Sequence, residues 1–268
     1  MDFMTTCFDQ NRGSLTVMTE YNKKAKNTGF IIGMPPPEIM GGILRDAGAR
    51  AIVVSMDKRS GGTSVDEFKK FSIEQSRARK FMPKPIPVVW HDFVVDNVQI
   101  AQAAAYGAGA ITLHFNFVED MEGSVAYAYE NGVTPIICVE SISEAKAAVS
   151  AGAKVVCFEK MTEDQLIEAR LAMPSLEKDP SLKFIARLRP EASFTAYAEI
   201  DQAWRVRDND FQCVWPSPDA IYATGISDIY PTVLAMRAKT GRKFMSPRQF
   251  LMDRKKEGAE EFLGDILY

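Results

Sequence analysis

The fold is decided by a short repeated pattern, seen most clearly in residues 105–113, AYGAGAITL, where a helical stretch ends in Gly-Ala before an apolar run. Two further copies are DAGARAIVVS at 46–55 and SAGAKVVCF at 150–158. Glycine suits the end of a helix because it adopts the left-handed backbone conformation at little cost. A short apolar run without polar alternation is typical of a strand buried on both faces. The pattern therefore predicts helices that alternate with buried parallel strands.

Extending this pattern along the chain predicts eight strands. The strands are expected at residues 15–19, 51–55, 87–90, 110–115, 135–139, 155–158, 183–188 and 219–223. Helical patterns between them fall at residues 38–46, 97–106, 143–150 and 163–172. Eight such units in one α/β domain favour a closed (β/α)8 TIM barrel, a fold of about 250 residues. The motif G-x-G-x-x-G does not follow the first strand, which counts against a dinucleotide-binding sheet.

Two terminal segments lie outside the repeat. We expect a short, irregular N-terminal segment at 1–14, the barrel at 15–242, and a C-terminal amphipathic extension at 243–268. The extension mixes bulky apolar residues with a charged run at 253–257. A last barrel helix with a cover over the core is the simpler interpretation of it. A protein partner that docks through residues 243–268 is the alternative.

Composition narrows the class of protein. The 268 residues carry a net charge of -3 and are 46% hydrophobic, so the sequence predicts a soluble globular domain without a nucleic-acid partner. No apolar run reaches the roughly 18 residues of a membrane span. Two histidines and four dispersed cysteines give no recognised metal spacing, so neither a metal nor another cofactor is expected. Cys138 and Cys157 lie in apolar runs, which predicts buried, reduced thiols and a reducing compartment that the sequence does not identify.

In a barrel of this kind, chemistry is carried by residues at the carboxyl ends of the strands. The first strand is followed by Glu20, Lys23 and Lys24, a carboxylate and two cations that can hold an anionic substrate. The third strand leads into His91 and Asp92, and a histidine can act as a general acid or base near neutral pH. A solvated basic loop, and a histidine satisfied by its neighbouring aspartate, are the alternatives that these residues leave open.

These segments resemble the motifs of one enzyme family. Residues 87–100, PVVWHDFVVDNVQI, closely resemble the third-strand motif of indole-3-glycerol-phosphate synthase, P-[IV]-L-x-K-D-F-I-[IV]-D-x-x-Q-[IV]. Residues 19–29, TEYNKKAKNTG, resemble its first-strand motif E-[YCI]-K-[KR]-x-S-P-S-x-G, and residues 136–158 follow its fifth-to-sixth-strand segment. The resemblance covers about residues 15–170. It implies a (β/α)8 barrel that closes the indole ring of a carboxyphenylamino-deoxyribulose phosphate, with loss of carbon dioxide and water, in tryptophan biosynthesis.

The same resemblance implies an active site in which several positions differ from the family. Glu20 matches the first-strand glutamate, whereas Asn22 replaces a substrate-contacting lysine. His91 replaces the general-acid lysine, Cys138 the proposed general-base glutamate, and Glu159 an asparagine. Another carboxylate, Glu140, lies two residues beyond the cysteine. The residues predicted to be catalytic are therefore Glu20, His91, Glu140 and Glu159.

Substrate and phosphate contacts are also carried over from the resemblance. The third-strand motif keeps its aspartate and phenylalanine, the seventh-strand E-S-G falls on residues 187–189, and the eighth-strand phosphate-binding G-[ST]-S is approximated by residues 224–227. A helix that follows such a segment can present backbone N–H groups to an anion. The predicted binding residues are Lys23, Lys24, Asp92, Phe93, Arg187, Arg189, Gly225 and Ser227.

Three functions are compatible with this pattern. Loss of one well-placed acid or base slows a reaction by about 10² to 10⁴-fold, and at least three such positions change together. We therefore favour a pseudoenzyme, a diverged barrel with lost or much reduced lyase activity that is reused as a binding or structural subunit of a larger assembly. The alternatives are a working carboxy-lyase of the indole-3-glycerol-phosphate synthase type and a diverged enzyme that acts on another phosphorylated small molecule.

Overall fold

The computed structural model describes residues 2–8, 15–25, 29–31, 33–57, 62–80, 82–175, 177–188, 196–222 and 225–238. Eight parallel strands close into a barrel, which confirms the predicted (β/α)8 architecture. They are β1 (Thr16–Tyr21), β2 (Ala51–Ser55), β3 (Val88–His91), β4 (Ala110–His114), β5 (Thr134–Val139), β6 (Val155–Phe158), β7 (Lys183–Arg187) and β8 (Cys213–Trp215). The barrel closes between its first and last strands, where Thr16 lies opposite Cys213 and Val17 opposite Val214.

Helices follow the strands along the chain. They are α1 (Phe3–Phe8), α2 (Pro37–Asp46), α3 (Val65–Arg77), α4 (Asn97–Ala105), α5 (Met121–Glu130), α6 (Ile142–Ser150), α7 (Glu163–Leu171), α8 (Ala196–Asp208), α9 (Pro218–Tyr222) and α10 (Ile229–Arg237). The smaller elements are a hairpin of Lys24–Ala25 with Gly29–Phe30 and two 3-10 turns at Ala78–Lys80 and Ile226–Asp228. Within the described residues, no helix has the length and apolar character that a membrane crossing requires.

The glycines of the repeated pattern explain where the helices end. Gly48, Gly107 and Gly152 follow α2, α4 and α6, with φ of 89°, 86° and 89°. This is the left-handed region, which glycine enters without a steric penalty from Cβ. Each glycine turns the chain from its helix into the next buried strand. The helices predicted from the repeat are confirmed to within one residue at each end.

The prediction of the eighth strand at residues 219–223 is wrong. Residues 218–222 form the short helix α9, and β8 lies earlier, at Cys213–Trp215. The helix begins after Ser217, whose Oγ accepts a hydrogen bond of 3.1 Å from the N–H of Ala220, and Pro218 occupies its first position. Serine before proline is a helix-start signal, because proline needs no N–H partner there. The three-residue strand CVW is too short for its apolar pattern to stand out.

Helix α1 closes the amino-terminal end of the barrel, so the N-terminal segment is not wholly irregular. Phe3 and Cys7 are fully buried among the inward-facing side chains of the strands. Cys7 Sγ lies 3.3 Å from the carbonyl oxygen of Arg50, just before β2, and Thr16 Oγ1 donates a hydrogen bond of 2.5 Å to the Cys7 carbonyl. Both contacts lie where strands begin. The opposite, carboxyl end of the barrel is therefore the end available for chemistry.

Candidate active site at the barrel mouth

The strands bring charged and aromatic side chains together at the carboxyl end of the barrel. Side chains alternate along a strand, so a residue two positions after a core residue also faces the barrel axis. Glu20 stands two positions after the buried Met18, and Arg187 two positions after the buried Ile185. Together with the other inward-facing residues they form what we call the mouth cluster: Glu20, His91, His114, Glu159, Arg187 and Trp215.

Arg187 is the centre of the mouth cluster. Its Nη1 lies 3.1 Å from Glu159 Oε2 and its Nη2 lies 3.4 Å from Glu20 Oε2, so one guanidinium pairs with both carboxylates. The guanidinium carbon also lies 4.1 Å from the ring centroid of Trp215, a cation–π contact. Burial opposes the charge, but the two carboxylates outweigh it and raise the pKa of Arg187 above its ordinary value. Arg187 therefore remains a cation that is shared between the two carboxylates.

Glu20 is held by hydrogen bonds on every side. It is 2% exposed, and its Oε1 accepts a bond of 2.9 Å from Asn22 Nδ2, while Oε2 accepts one of 3.2 Å from Trp215 Nε1. Its backbone carbonyl accepts a bond of 2.7 Å from the Tyr222 hydroxyl. With the bond from Arg187, both carboxylate oxygens have partners. Glu20 is thus fixed in place and engaged within the protein.

His91 is a neutral side chain in this setting. Its Nδ1 lies 2.9 Å from Thr112 Oγ1, and its Nε2 lies 3.5 Å from Arg187 Nη1. Because arginine only donates, Nε2 is the acceptor and Nδ1 carries the proton. Burial, then the charge of Arg187 and the neighbouring His114, lower the pKa of His91 well below its usual value. Its partner is the threonine rather than the adjacent aspartate, which accepts a bond of 2.9 Å from the next backbone N–H.

His114 forms a histidine–carboxylate pair that the sequence prediction missed. Its Nδ1 lies 2.8 Å from Glu159 Oε1, and its side chain is 12% exposed. Burial works against ionisation of Glu159, but the hydrogen bond from His114 and the charge of Arg187 outweigh it and hold its pKa below the usual range. Phe93 stacks on the imidazole at 5.7 Å. The sequence does contain a signal for this residue, because His114 is the last residue of β4, just as His91 is the last residue of β3.

Cys138 lies beneath this pair as a buried thiol. It is 2% exposed, faces Cys157 across β5 and β6, and its Sγ lies within 4.8 Å of the ligand atoms of His114 and Glu159. A hydrogen bond with Cys157, burial and the nearby Glu159 carboxylate raise the pKa of the Cys138 thiol well above its usual value. The thiols of Cys138 and Cys157 are free and buried, as the sequence predicts.

The remaining predicted catalytic residue lies apart from the mouth cluster. The Glu140 carboxylate forms an ion pair with Lys160, and its side chain is 38% exposed. Strand β5 ends at Val139, and the Glu140 N–H donates a bond of 2.8 Å to Glu144 Oε2 at the start of α6. The chain turns at this point, so strand alternation no longer directs the side chain to the axis.

Of the predicted binding residues, Arg187 lies in the mouth cluster, and the others that the structure describes are scattered around the rim. Lys23 pairs with Glu67 of α3, and the backbone N–H of Lys24 donates a bond of 2.8 Å to Asn22 Oδ1. Gly225 has a φ of 108° and starts the 3-10 turn, where Ser227 Oγ lies 3.4 Å from Asp228 Oδ1. Asp92 lies at the end of β3, and the side chain of Phe93 beside it is 52% exposed. Arg189 and the extension at 243–268 lie outside the described residues.

A closed parallel (β/α)8 barrel with its polar cluster at the carboxyl end belongs to the class of TIM barrels. Within that class, residues 2–160 match the family model described as indole-3-glycerol phosphate synthase, and the chain belongs to this family.

Curated relatives carry the same name. The indole-3-glycerol phosphate synthase of Aquifex aeolicus is 32% identical over 142 residues, covering 52% of this chain and 51% of the relative. That of Leptospira interrogans is 28% identical over 145 residues, with 53% and 54% covered. A shorter match of 78 residues, 40% identical, is to the Pyrobaculum arsenaticum enzyme, with 28% and 31% covered. The chain thus spans about half the length of the first two relatives.

Solved structures extend the likeness of fold to the rest of the barrel. A 4-hydroxy-2-oxoglutarate aldolase superposes with a TM-score of 0.60 at 13% identity, covering 90% of this chain and 100% of that one. The thiamine phosphate pyrophosphorylase of Pyrococcus furiosus superposes with a TM-score of 0.55 at 14% identity, covering 85% and 99%. At such low identity the likeness concerns the fold alone.

Proposed function

We propose that this barrel has lost the ring-closing carboxy-lyase reaction of its family, or retains it at a much reduced rate, and serves as a binding subunit of a larger assembly. The observation that carries the first half is the double ion pair of Arg187 with Glu20 and Glu159. This cation lies beside His91, which the resemblance places at the position of the family's general acid. The carboxylates are engaged by the protein itself.

The general acid is also weakened. The resemblance places His91 where the family has a lysine, and burial together with the adjacent guanidinium lowers the pKa of this histidine. A neutral imidazole has no ammonium charge to offer a substrate, and its remaining proton is held towards Thr112 at 2.9 Å. Proton donation from this position therefore requires rearrangement of the cluster.

The general base is replaced by a group that does not ionise readily. Cys138 stands at the family's glutamate position, and its hydrogen bond with Cys157 and its burial raise the pKa of the thiol. Glu140 is paired with Lys160 at the rim. Since one missing acid or base costs about 10² to 10⁴-fold in rate, the joint loss leaves little catalysis by the family's route.

The decisive experiment is turnover of the family's carboxyphenylamino-deoxyribulose phosphate by the full chain. Formation of the indole product is followed by fluorescence, with the Aquifex aeolicus enzyme measured in parallel as the positive control. We expect kcat/KM to be lower by at least about 10²-fold, the cost of one lost acid or base. Turnover within tenfold of the control would instead establish the working synthase and end this half of the proposal.

The binding role draws on exposed apolar side chains near the mouth. Val95, between β3 and α4, and Val98, in the first turn of α4, are 69% and 70% exposed, and Phe93 and Phe117 nearby are 52% and 46% exposed. Grouped exposed apolar residues are typical of interaction surfaces.

The binding role is tested by copurification. The full chain should copurify with one fixed partner from its native source, and a chain truncated after Lys243 should lose that partner. A full chain that purifies alone at its monomer mass would overturn the binding role, and a truncated chain that keeps its partner would exclude the extension as the docking element.

A second candidate is a diverged enzyme acting on another phosphorylated small molecule. The hydrogen-bonded pair of His114 and Glu159 favours it, because the carboxylate fixes the orientation of an imidazole that can transfer protons. A phosphorylated ligand that binds the native state should raise the melting temperature by mass action. A shift that disappears in His114→Gln but persists in Glu140→Gln would support this candidate, and a ligand set that gives no shift counts against it.

A further inference from the structure

Three different ligand types converge at one point of the mouth. The donor atoms of His114, Cys138 and Glu159 all lie within 4.8 Å of one another, although they come from β4, β5 and the residue after β6. The imidazole Nδ1 and the carboxylate Oε1 are already 2.8 Å apart. Cys138 and Glu159 are 2% and 3% exposed, so the site is walled off from solvent on the barrel side.

We propose that His114, Cys138 and Glu159 form a mononuclear site for Zn²⁺ or a similar borderline-soft divalent ion, with the imidazole Nδ1, the thiolate Sγ and a carboxylate oxygen as its three protein ligands. This site is independent of the lyase question and goes beyond the binding role. Mixed nitrogen, sulfur and oxygen donors suit zinc, whereas calcium and magnesium prefer oxygen alone. Three protein ligands leave one position open towards the mouth, the arrangement of catalytic rather than structural zinc sites.

Charge balance favours such an ion. Metal binding releases the S–H proton of the cysteine and leaves the imidazole neutral with its proton on Nε2, since thiolate and neutral imidazole are the binding forms. The thiolate and the Glu159 carboxylate then cancel the two charges of the ion. Arg187 stays neutralised by Glu20, with which it already forms an ion pair of 3.4 Å. The bound ion therefore leaves no unpaired charge in the mouth.

Aromatic contacts and strand pairing hold the ligands in place. Phe93 stacks on the His114 ring at 5.7 Å, and Phe117 contacts the same ring at 5.7 Å. Cys138 lies in the middle of the strand pairing, opposite His114 on one side and Cys157 on the other. Ligands on rigid strands and packed rings need little reorganisation on binding, which favours affinity.

The test is titration of the full chain, first stripped by chelator, with Co²⁺. Bound cobalt is expected to show a thiolate-to-metal charge-transfer band in the near ultraviolet, intense visible bands of four-coordinate geometry, and a stoichiometry of one. Competition with a chromogenic chelator then gives the Zn²⁺ affinity. Cys138→Ser should abolish the charge-transfer band, and His114→Gln should weaken Zn²⁺ binding by at least about tenfold, or about 1.4 kcal/mol.

The matched control is Cys157→Ser. This cysteine neighbours Cys138 across the sheet and is equally buried, but it is outside the ligand set. The variant should keep the charge-transfer band and the affinity. Cobalt spectra of the unmutated chain without a thiolate band, or a band that is lost in Cys157→Ser while it persists in Cys138→Ser, would overturn the assignment without depending on how well the other variants fold.

Discussion

The two ends of the barrel differ in the side chains that the strands direct towards the axis: those at the amino end are apolar, and those at the carboxyl end are mostly charged or polar. At the amino end, Phe3 and Cys7 of α1 complete an apolar interior that excludes water. At the carboxyl end, the same inward-facing rows finish in the mouth cluster, where Arg187 forms ion pairs with both Glu20 and Glu159. The amino end is stabilised by burial of hydrocarbon and the carboxyl end by paired charge. The stability of the amino end thus depends on close packing, whereas the stability of the carboxyl end depends on the presence of every charged partner.

The largest effect is expected from opening the amino end. Phe3→Ala leaves a cavity beneath the barrel, and such a change typically lowers the free energy of unfolding by about 3 kcal/mol or more. Phe8→Ala is the matched control, because its partly buried ring meets Phe3 edge-on at 5.8 Å. Urea denaturation of the unmutated chain and the two variants gives the change in the free energy of unfolding. Equal, small losses in both variants would mean that α1 contributes little to closing the barrel.

Removing the central cation tests the carboxyl end. Arg187→Met leaves two buried carboxylates without their cation, and breaking a buried pair in this way costs about 3 to 5 kcal/mol. Because 27% of this side chain is exposed, we expect a loss of about 2 to 3 kcal/mol. Arg187→Lys, which keeps the charge but not the two-pronged contact, should lose less. Unchanged stability at neutral pH in the methionine variant would contradict the paired-charge account of the mouth.

A pH dependence is expected from Glu199, behind the mouth. Its carboxylate accepts a bond of 2.8 Å from the Ser217 N–H, yet burial outweighs this and raises its pKa from 4.5 to about 6. The folded state therefore favours the protonated form. The contribution to stability is complete below pH 4.5 and is lost as the pH rises through about 6, amounting to about 2 kcal/mol.

The measurement is the melting temperature of the unmutated chain relative to Glu199→Gln across this range. The amide substitutes for the protonated acid, so the unmutated chain should lose stability relative to the variant between pH 4.5 and neutrality. A constant difference between the two proteins would show that the carboxyl keeps an ordinary pKa.

The smallest effect is expected at the rim. Glu140→Gln breaks the ion pair with Lys160, but exposed pairs of this kind contribute about 1 kcal/mol or less. The variant should also leave cobalt binding at the mouth unchanged. A loss above about 2 kcal/mol would indicate that Glu140 belongs to the mouth cluster after all.

The positions of most strands, and several of the residues at their carboxyl ends, could be predicted from the sequence. The Gly-Ala repeat located seven of the eight strands, and the strand ends then indicated Glu20 and His91, while the family resemblance implied Glu159 and Arg187. Such reasoning finds which residues reach the carboxyl end of a strand, because alternation is a local property. The same reasoning failed for Glu140, which lies just beyond the end of its strand.

Pairing between distant strands could not be predicted in this way. The contacts of Arg187 join positions 167 and 28 residues apart along the chain, and no local pattern encodes them. Trp215 was missed because the short strand β8 was placed too late in the sequence. Cys138, His114 and Glu159 were not recognised as a ligand set, since motif spacing detects ligands along one segment rather than across three strands.

The position of α1 also has a practical consequence. Asp2, just before this helix, is exposed at the end of the barrel opposite the mouth. A biotin, dye or sensor-chip linker attached at this position would therefore hold the molecule with its mouth turned outward. Ligand titrations on a surface could then use one uniform orientation, without a tether in the path of metal or substrate.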